Sequence, residues 1–243
     1  MPIGLGTASR LSGVSGGGEG SFEDQAENWI GWAARPADAY WHFGPSFLNE
    51  VVPPQAARAL EIGCGEGRVC RDLAARGHRV VGIDVSRTLI AHAHKAGPQV
   101  TFLVADAASL PFRDCLFELV VAYNSLINMP EMADAVREAA RVMTLGGRLC
   151  VCVPHPMWEA GRFAGEGPDA SFVVQEPYLE SKFVDFEAEL AGGRMRFRGW
   201  THPIEAYSRA IEAAGLVIDM IREPPSRRTR HLPLFLFIRA LKK

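Results

Sequence analysis

The sequence predicts an α/β fold: a doubly wound, Rossmann-like, mostly parallel seven-stranded sheet with helices on both faces. Three observations carry that expectation. From Arg58 the chain alternates short apolar runs with amphipathic stretches, a glycine-rich turn follows the first run, and an acidic residue closes each of the next two. Apolar strands joined by helices imply a parallel sheet covered on both sides. Such sheets take ligands at the carboxyl ends of their strands.

In chain order, residues 1–20 are rich in Gly and Ser without periodicity and are expected to form a flexible tail. Residues 21–56 are expected to form an N-terminal helical cap. Trp29, Trp32, Tyr40, Trp41 and Phe43 are spaced along it, Pro36 suits the first turn of a second helix, and Pro53-Pro54 stops it. The third unit is 57–243. Residues 59–62, 80–83, 100–104 and 116–122 read as strands, with helices over 67–75, 86–95 and 131–143. Gly146-Gly147 turns into a fifth strand over 148–153. A lid insertion is expected at about 155–200: a long loop over 155–182, then a β-hairpin in which Val184, Phe186, Ala188 and Leu190 alternate before Gly192-Gly193. A helix from Pro203 to Ala214 and strands over 216–221 and 232–241 close the chain.

The bulk properties restrict the partners. The 243 residues are 48% hydrophobic and 22% charged, the balance of an ordinary globular protein. A net charge of -2 and a pI near 6.4 offer no field for nucleic acid or an anionic membrane. The five cysteines include no C-x-x-C pair, and Cys150 and Cys152 share one face of a strand, so free packed thiols in a reducing cytoplasm are expected. No basic leader or membrane-length apolar run is seen, and no His, Cys or carboxylate group has metal-ligand spacing. The expected partner is a small molecule, and the expected assembly a monomer or homodimer.

The chemistry gathers after the first strand. Gly63, Gly65 and Gly67 allow a tight turn and close approach of a ligand to the backbone. That signal alone serves many nucleotides. Asp84 ends the second strand about 20 residues on, where a carboxylate accepts from both ribose hydroxyls. A dinucleotide oxidoreductase and an adenosylmethionine enzyme both satisfy this much. The dinucleotide pattern G-x-G-x-x-G wants glycine at position 68, where Arg68 stands. Asp106 ends the third strand and suits an adenine amino group. Glu61 places an acid beside the loop, which a diphosphate would oppose and a cationic sulfonium with an ammonium group would welcome. The balance falls to adenosylmethionine.

Leu60-Glu61-Ile62-Gly63-Cys64-Gly65-Glu66-Gly67, Gly82-Ile83-Asp84-Val85-Ser86 and Ala105-Asp106-Ala107-Ala108-Ser109-Leu110-Pro111-Phe112 resemble the successive motifs of class I S-adenosylmethionine-dependent methyltransferases. Ala139 to Leu149 resembles the helix and turn before that family's fifth strand. Trp200-Thr201-His202-Pro203 with Tyr207 and Ala214-Gly215-Leu216 is similar to the closing segment of relatives that methylate ubiquinone and menaquinone precursors. The resemblance departs at Phe117-Glu118, where Phe-Asp is usual, and at Pro203, where Arg is common. It implies that Glu61, Gly63, Cys64, Gly65 and Gly67 meet the methionine part, and Asp84 with Val85 the ribose. It also implies Asp106 and Ala107 at the adenine, with Tyr123 and Asn124 beside the methyl group. Tyr40 and Trp32 are candidates to close over the cofactor, simple packing being the alternative.

Methyl transfer is an in-line displacement, and holding two atoms collinear in a dry pocket supplies most of what it needs. A base helps only where the acceptor must lose a proton. His155, directly after the fifth strand, is the first candidate, with His202 and Tyr123 as further catalytic candidates and His42 behind them. Trp158, Phe163, Phe172, Tyr178, Phe183, Phe186 and Trp200 are expected to make the lid suited to an apolar or aromatic acceptor. Arg222, Arg227, Arg228 and Arg230 read as a solvated loop. The function expected is methyl transfer to O, N or C of a biosynthetic intermediate. The alternatives are a nicotinamide-dependent oxidoreductase and a non-catalytic adenosylmethionine-binding protein.

Overall fold

Strand and helix alternate from end to end in the computed structural model, which describes residues 22–35, 38–165, 167, 169–190, 193–225 and 231–243. Helices α1 (Phe22–Ala33) and α2 (Tyr40–Glu50) lead into β1 (Arg58–Ile62), α3 (Arg68–Ala75), β2 (Arg79–Asp84), α4 (Arg87–Ala96), β3 (Thr101–Val104) and β4 (Phe117–Tyr123). A 3₁₀ turn (Leu126–Asn128), α5 (Met132–Val142) and β5 (Met143–Pro154) follow. A second 3₁₀ turn (Pro156–Ala160), the hairpins β6 (Gly161–Ala164) with β7 (Ser171–Val174) and β8 (Lys182–Leu190) with β9 (Gly193–Thr201), α6 (Ile204–Ala213), β10 (Leu216–Arg222) and β11 (Phe235–Lys242) complete it.

Seven strands form one sheet in the order β10-β11-β5-β4-β1-β2-β3. All run parallel except β11, which is antiparallel to both neighbours. The predicted fold class is therefore the one observed. Period-two alternation divides the core. Leu60, Ile62, Val120, Ala122, Leu149 and Val151 pack with α5 and α6 on one face. Ala59, Leu119, Val121, Cys150, Cys152 and Phe237 pack with α2, α3 and α4 on the other. Because β1 lies between β2 and β4, the carboxyl ends of those three strands stand side by side. Tertiary packing thus gathers residues 62–67, 84 and 123–124 along one edge.

Several boundaries differ from the sequence reading, each for a local reason. The fifth strand begins at Met143, not 148. Gly146, at φ 76°, makes a bulge within the strand, and the register jumps from Phe117↔Met143 to Leu119↔Arg148. The expected loop over 155–182 contains ordered structure. His155 caps the 3₁₀ turn, and Trp158, Phe163 and Phe172 cluster around the β6–β7 hairpin, with ring centroids 5.1–6.5 Å apart. Ser86 is the N-cap of α4 and accepts from the Leu89 amide at 3.1 Å. The expected tail over 1–20, Pro36 and Arg227, Arg228 and Arg230 lie outside the described residues. No helix among the described residues is long and apolar enough to cross a membrane.

Candidate active site

A cavity of about 330 Å³ opens at the carboxyl edge of the sheet. One part of its wall is the loop after β1 and the end of β2, with Glu61, Gly63, Cys64, Gly65 and Asp84. Tyr123, Asn124, Pro154 and His155 continue it from β4 and β5, and Phe186, Phe197, Trp200 and His202 close it from the β8–β9 hairpin. Trp29 and Trp32 of α1 complete the wall, their rings edge-on to Phe197 at 6.0 and 6.3 Å.

Two of the glycines do different work. Gly65 has φ 54°, and a side chain there would meet nothing within 4 Å, so its backbone is open to a ligand. At Gly67, φ 86°, a Cβ would come within 2.8 Å of the Phe102 ring, so that glycine serves helix–sheet packing. Asp84 holds the loop in place: Oδ2 accepts from the Gly65 amide and Oδ1 from the Ser86 amide, both at 2.9 Å. Each carboxylate oxygen keeps accepting capacity. Burial raises the Asp84 pKa, and the hydrogen bonds from the backbone amides of Ser86 and Gly65 oppose that.

Glu61 is 1% exposed and accepts from the Cys70 thiol at 2.9 Å. Burial pushes its pKa up to about 8. Asn124 sits at φ 54°, a left-handed conformation that asparagine tolerates, and turns the chain sharply after β4. Its amide donates to the Cys152 carbonyl at 2.8 Å, and its own carbonyl accepts from Asn128 Nδ2 at 3.1 Å. Tyr123 packs edge-on to Tyr40 and Phe47, each at 5.2 Å. Its hydroxyl is buried with no hydrogen-bond partner of oxygen or nitrogen, the Cys152 thiol being beside it, and burial raises its pKa well above the ordinary value.

Other expected residues fall elsewhere. Val85, Asp106 and Ala107 are outside the cavity wall, Val85 and Asp106 being exposed at the ends of β2 and β3. Asp106 Oδ1 accepts from the Ala108 amide at 2.9 Å, closing a local turn. Tyr40 stands behind the wall: its hydroxyl donates to Asp72, and the Arg68 guanidinium lies 4.5 Å from its ring centre. Packing is what the structure shows for it. Of the aromatics expected in the lid, Phe186 and Trp200 line the cavity. Trp158 instead donates its ring N–H to the Pro233 carbonyl at 2.9 Å, and Tyr178 Oη accepts from the Ile204 amide at 3.2 Å.

The candidate bases separate on hydrogen bonding. His155 Nδ1 accepts from the Met157 amide at 3.3 Å, so in the neutral ring Nε2 carries the proton and donates to Glu223 Oε1 at 3.0 Å. Both ring nitrogens of His155 are thus engaged within the chain. His42 is exposed against Phe43 and away from the cavity. His202 borders the cavity, with Nδ1 2.9 Å from Ser181 Oγ and Nε2 buried without a partner.

One contributor had no sequence signal. Arg68, counted only as a missing glycine, donates to Asp38 Oδ2 at 3.0 Å and to the Ala33 carbonyl at 3.4 Å. It ties the glycine loop to the N-terminal helices.

The fold and this edge define a Rossmann-like protein with a ligand site at the crossover between β1 and β4. A family model described as Methyltransferase domain matches residues 60–151. The chain is 30% identical over 213 residues to the 27-O-demethylrifamycin SV methyltransferase of Amycolatopsis mediterranei, covering 75% of this chain and 78% of that one. It is 34% identical over 114 residues to the 2-phytyl-1,4-naphtoquinone methyltransferase of Thermosynechococcus vestitus; the match takes in 44% of this chain and about half (51%) of that one. An S-adenosylmethionine-dependent methyltransferase from Mesorhizobium loti has the same fold, with TM-score 0.65 and 21% identity over 84% of this chain and 98% of that one. The chain belongs to the class I S-adenosylmethionine-dependent methyltransferases, and S-adenosylmethionine is its cofactor. The residues present fit that group: an open backbone at Gly65, spare acceptor capacity at Asp84 and a buried acid at Glu61.

Proposed function

We propose that the enzyme methylates a small, uncharged metabolite of largely apolar or aromatic character. One observation carries this reading: the hairpin side of the cavity is walled by the apolar side chains of Val184, Phe186, Phe197 and Trp200. The rifamycin relative, named for a secondary metabolite, supports the same class. The near-neutral net charge suits a neutral metabolite better than a polyanion, and four buried free thiols suit a reducing, cytoplasmic setting. A monomer or homodimer meets every requirement of this reading.

In this reading Gly63, Cys64 and Gly65 shape the bed for the methionine part and Glu61 faces its ammonium group. Gly67 keeps α3 close enough for the turn, and Asp84 takes the ribose hydroxyls with Val85 alongside. Asp106 and Ala107 border the adenine on the open rim. Bound there, the cofactor supplies an electrophilic methyl group. Tyr123 and Asn124, rigid at the end of β4, hold the acceptor in line with it, while α1 and the hairpin exclude water. His155, anchored at both nitrogens, positions the start of the lid.

Incubation with S-adenosylmethionine and a panel of hydroxylated naphthoquinones and naphthols, read by mass spectrometry, tests the class. Products one methyl group heavier are expected. Tight cofactor binding with no transfer to any member would favour a binding protein instead.

A further inference from the structure

His202, one of the residues that line the cavity, carries a buried ring nitrogen without a partner among the described residues. His202 stands at the junction of β9 and α6, its ring stacked on Trp200 (11° between planes) and edge-on to Tyr207 at 5.7 Å. The ring is 7% exposed, and Nε2 makes no hydrogen bond to a described residue. A buried nitrogen of this kind loses its hydration without compensation unless a ligand completes it. Burial lowers the pKa of the ring, so it is neutral near pH 7 and one nitrogen carries a lone pair. Ser181 Oγ is 2.9 Å from Nδ1, and in the tautomer whose Nδ1–H donates to that oxygen the lone pair is on Nε2. His155 offers no such lone pair, since both its nitrogens are engaged.

Resting on the methyltransferase reading above, we propose that His202 Nε2 is the base of the reaction. The acceptor is accordingly a neutral phenol or enol, methylated at its hydroxyl oxygen. The oxygen–carbon bond forms as the sulfur–carbon bond breaks, with that electron pair staying on sulfur. The hydroxyl proton passes to Nε2, and the imidazolium formed is held by Ser181 Oγ until it gives that proton to water when the lid opens. An amine acceptor would reach the methyl group with its own lone pair and would not need this nitrogen.

Two measurements test this. In ¹⁵N-histidine-labelled enzyme loaded with S-adenosylhomocysteine, the His202 ring, assigned by its loss in His202→Gln, should show a protonated Nδ1 and a bare Nε2 at pH 7. A protonated Nε2 overturns the proposal whatever the acceptor. The second is radiolabelled methyl transfer to 1-naphthol, to the far more acidic 2-hydroxy-1,4-naphthoquinone and to 1-naphthylamine. His202→Gln should lower kcat for 1-naphthol by roughly 10²- to 10⁴-fold. It should have much less effect on the quinone, which arrives ionised, and leave S-adenosylhomocysteine affinity unchanged. An equal loss with both hydroxylated probes, or transfer to the amine with both of them inert, overturns it. Calorimetry with S-adenosylhomocysteine is read separately, so failure here is distinct from failure of the methyltransferase assignment.

Discussion

Asp84 accepts two backbone amides, at Gly65 and Ser86, before any ligand arrives, and so joins the glycine loop to the N-cap of α4. Asp84→Ala removes that brace together with the ribose acceptor. Calorimetry with S-adenosylhomocysteine should show a loss of roughly 1–3 kcal/mol, or about 5- to 150-fold in Kd; an unchanged Kd would remove Asp84 from the site. Glu61 makes a separate statement about pH. Its folded-state pKa, raised by burial to about 8, lies above that of an unfolded glutamate, so between those values the folded state holds the extra proton. Stability attributable to this group is therefore full below about pH 4.5 and falls as pH rises through about 8. Thermal melts of the ligand-free enzyme from pH 5 to 9 should decline more steeply than those of Glu61→Gln, and parallel curves would refute the burial argument. Both acids were legible in the sequence because each lies at the end of its strand, at a characteristic distance from the glycines. The engagement of His155 was not, because its partner Glu223 lies 68 residues away in sequence.

At the scale of elements, α1 and the turn after it are tied to the domain by both polar and aromatic contacts. Glu23 at the start of α1 accepts from the Thr88 side chain at 2.7 Å and from the Ser86 hydroxyl, Arg68 reaches Asp38, and Trp29 and Trp32 meet Phe197. Arg68 is the central tie, because it also borders the cavity. Arg68→Ala leaves the Asp38 carboxylate, 5% exposed, with the Tyr40 amide at 2.7 Å as its one remaining donor among the described residues. We expect about 1–3 kcal/mol of lost stability, faster hydrogen exchange in α1 and weaker S-adenosylhomocysteine binding. Unchanged exchange in α1 would show that the aromatic contacts suffice. Helix and strand identities in the sheet were readable from periodicity, down to the Ser86 cap. The β6–β7 hairpin was hidden because its strands are four residues each, bounded by several Gly and Pro, and held by aromatics that pack on one another. The β5 bulge was read as a turn because Gly146 makes the same left-handed bend in either setting.

For the molecule as a whole, the sheet order places three strand ends along one edge, and the loops above them carry the chemistry. Class and cofactor were readable because they depend on short motifs at fixed positions relative to the strands. The acceptor was not, because its pocket assembles α1, β4, β5 and the β8–β9 hairpin, which are distant in sequence and meet only in the fold. The N-terminal helices and the hairpin close one cavity over the motif residues, so ligand binding should tighten the molecule broadly. The central claim is that this edge is built for an adenosylmethionine-type ligand and not for a dinucleotide, with a buried acid at Glu61 beside the loop and Arg68 in place of a third glycine. Isothermal titration of the purified protein with S-adenosylhomocysteine and, separately, with NADH tests it most directly. Saturable binding of S-adenosylhomocysteine with none of NADH is the predicted result, and binding of NADH alone would contradict it.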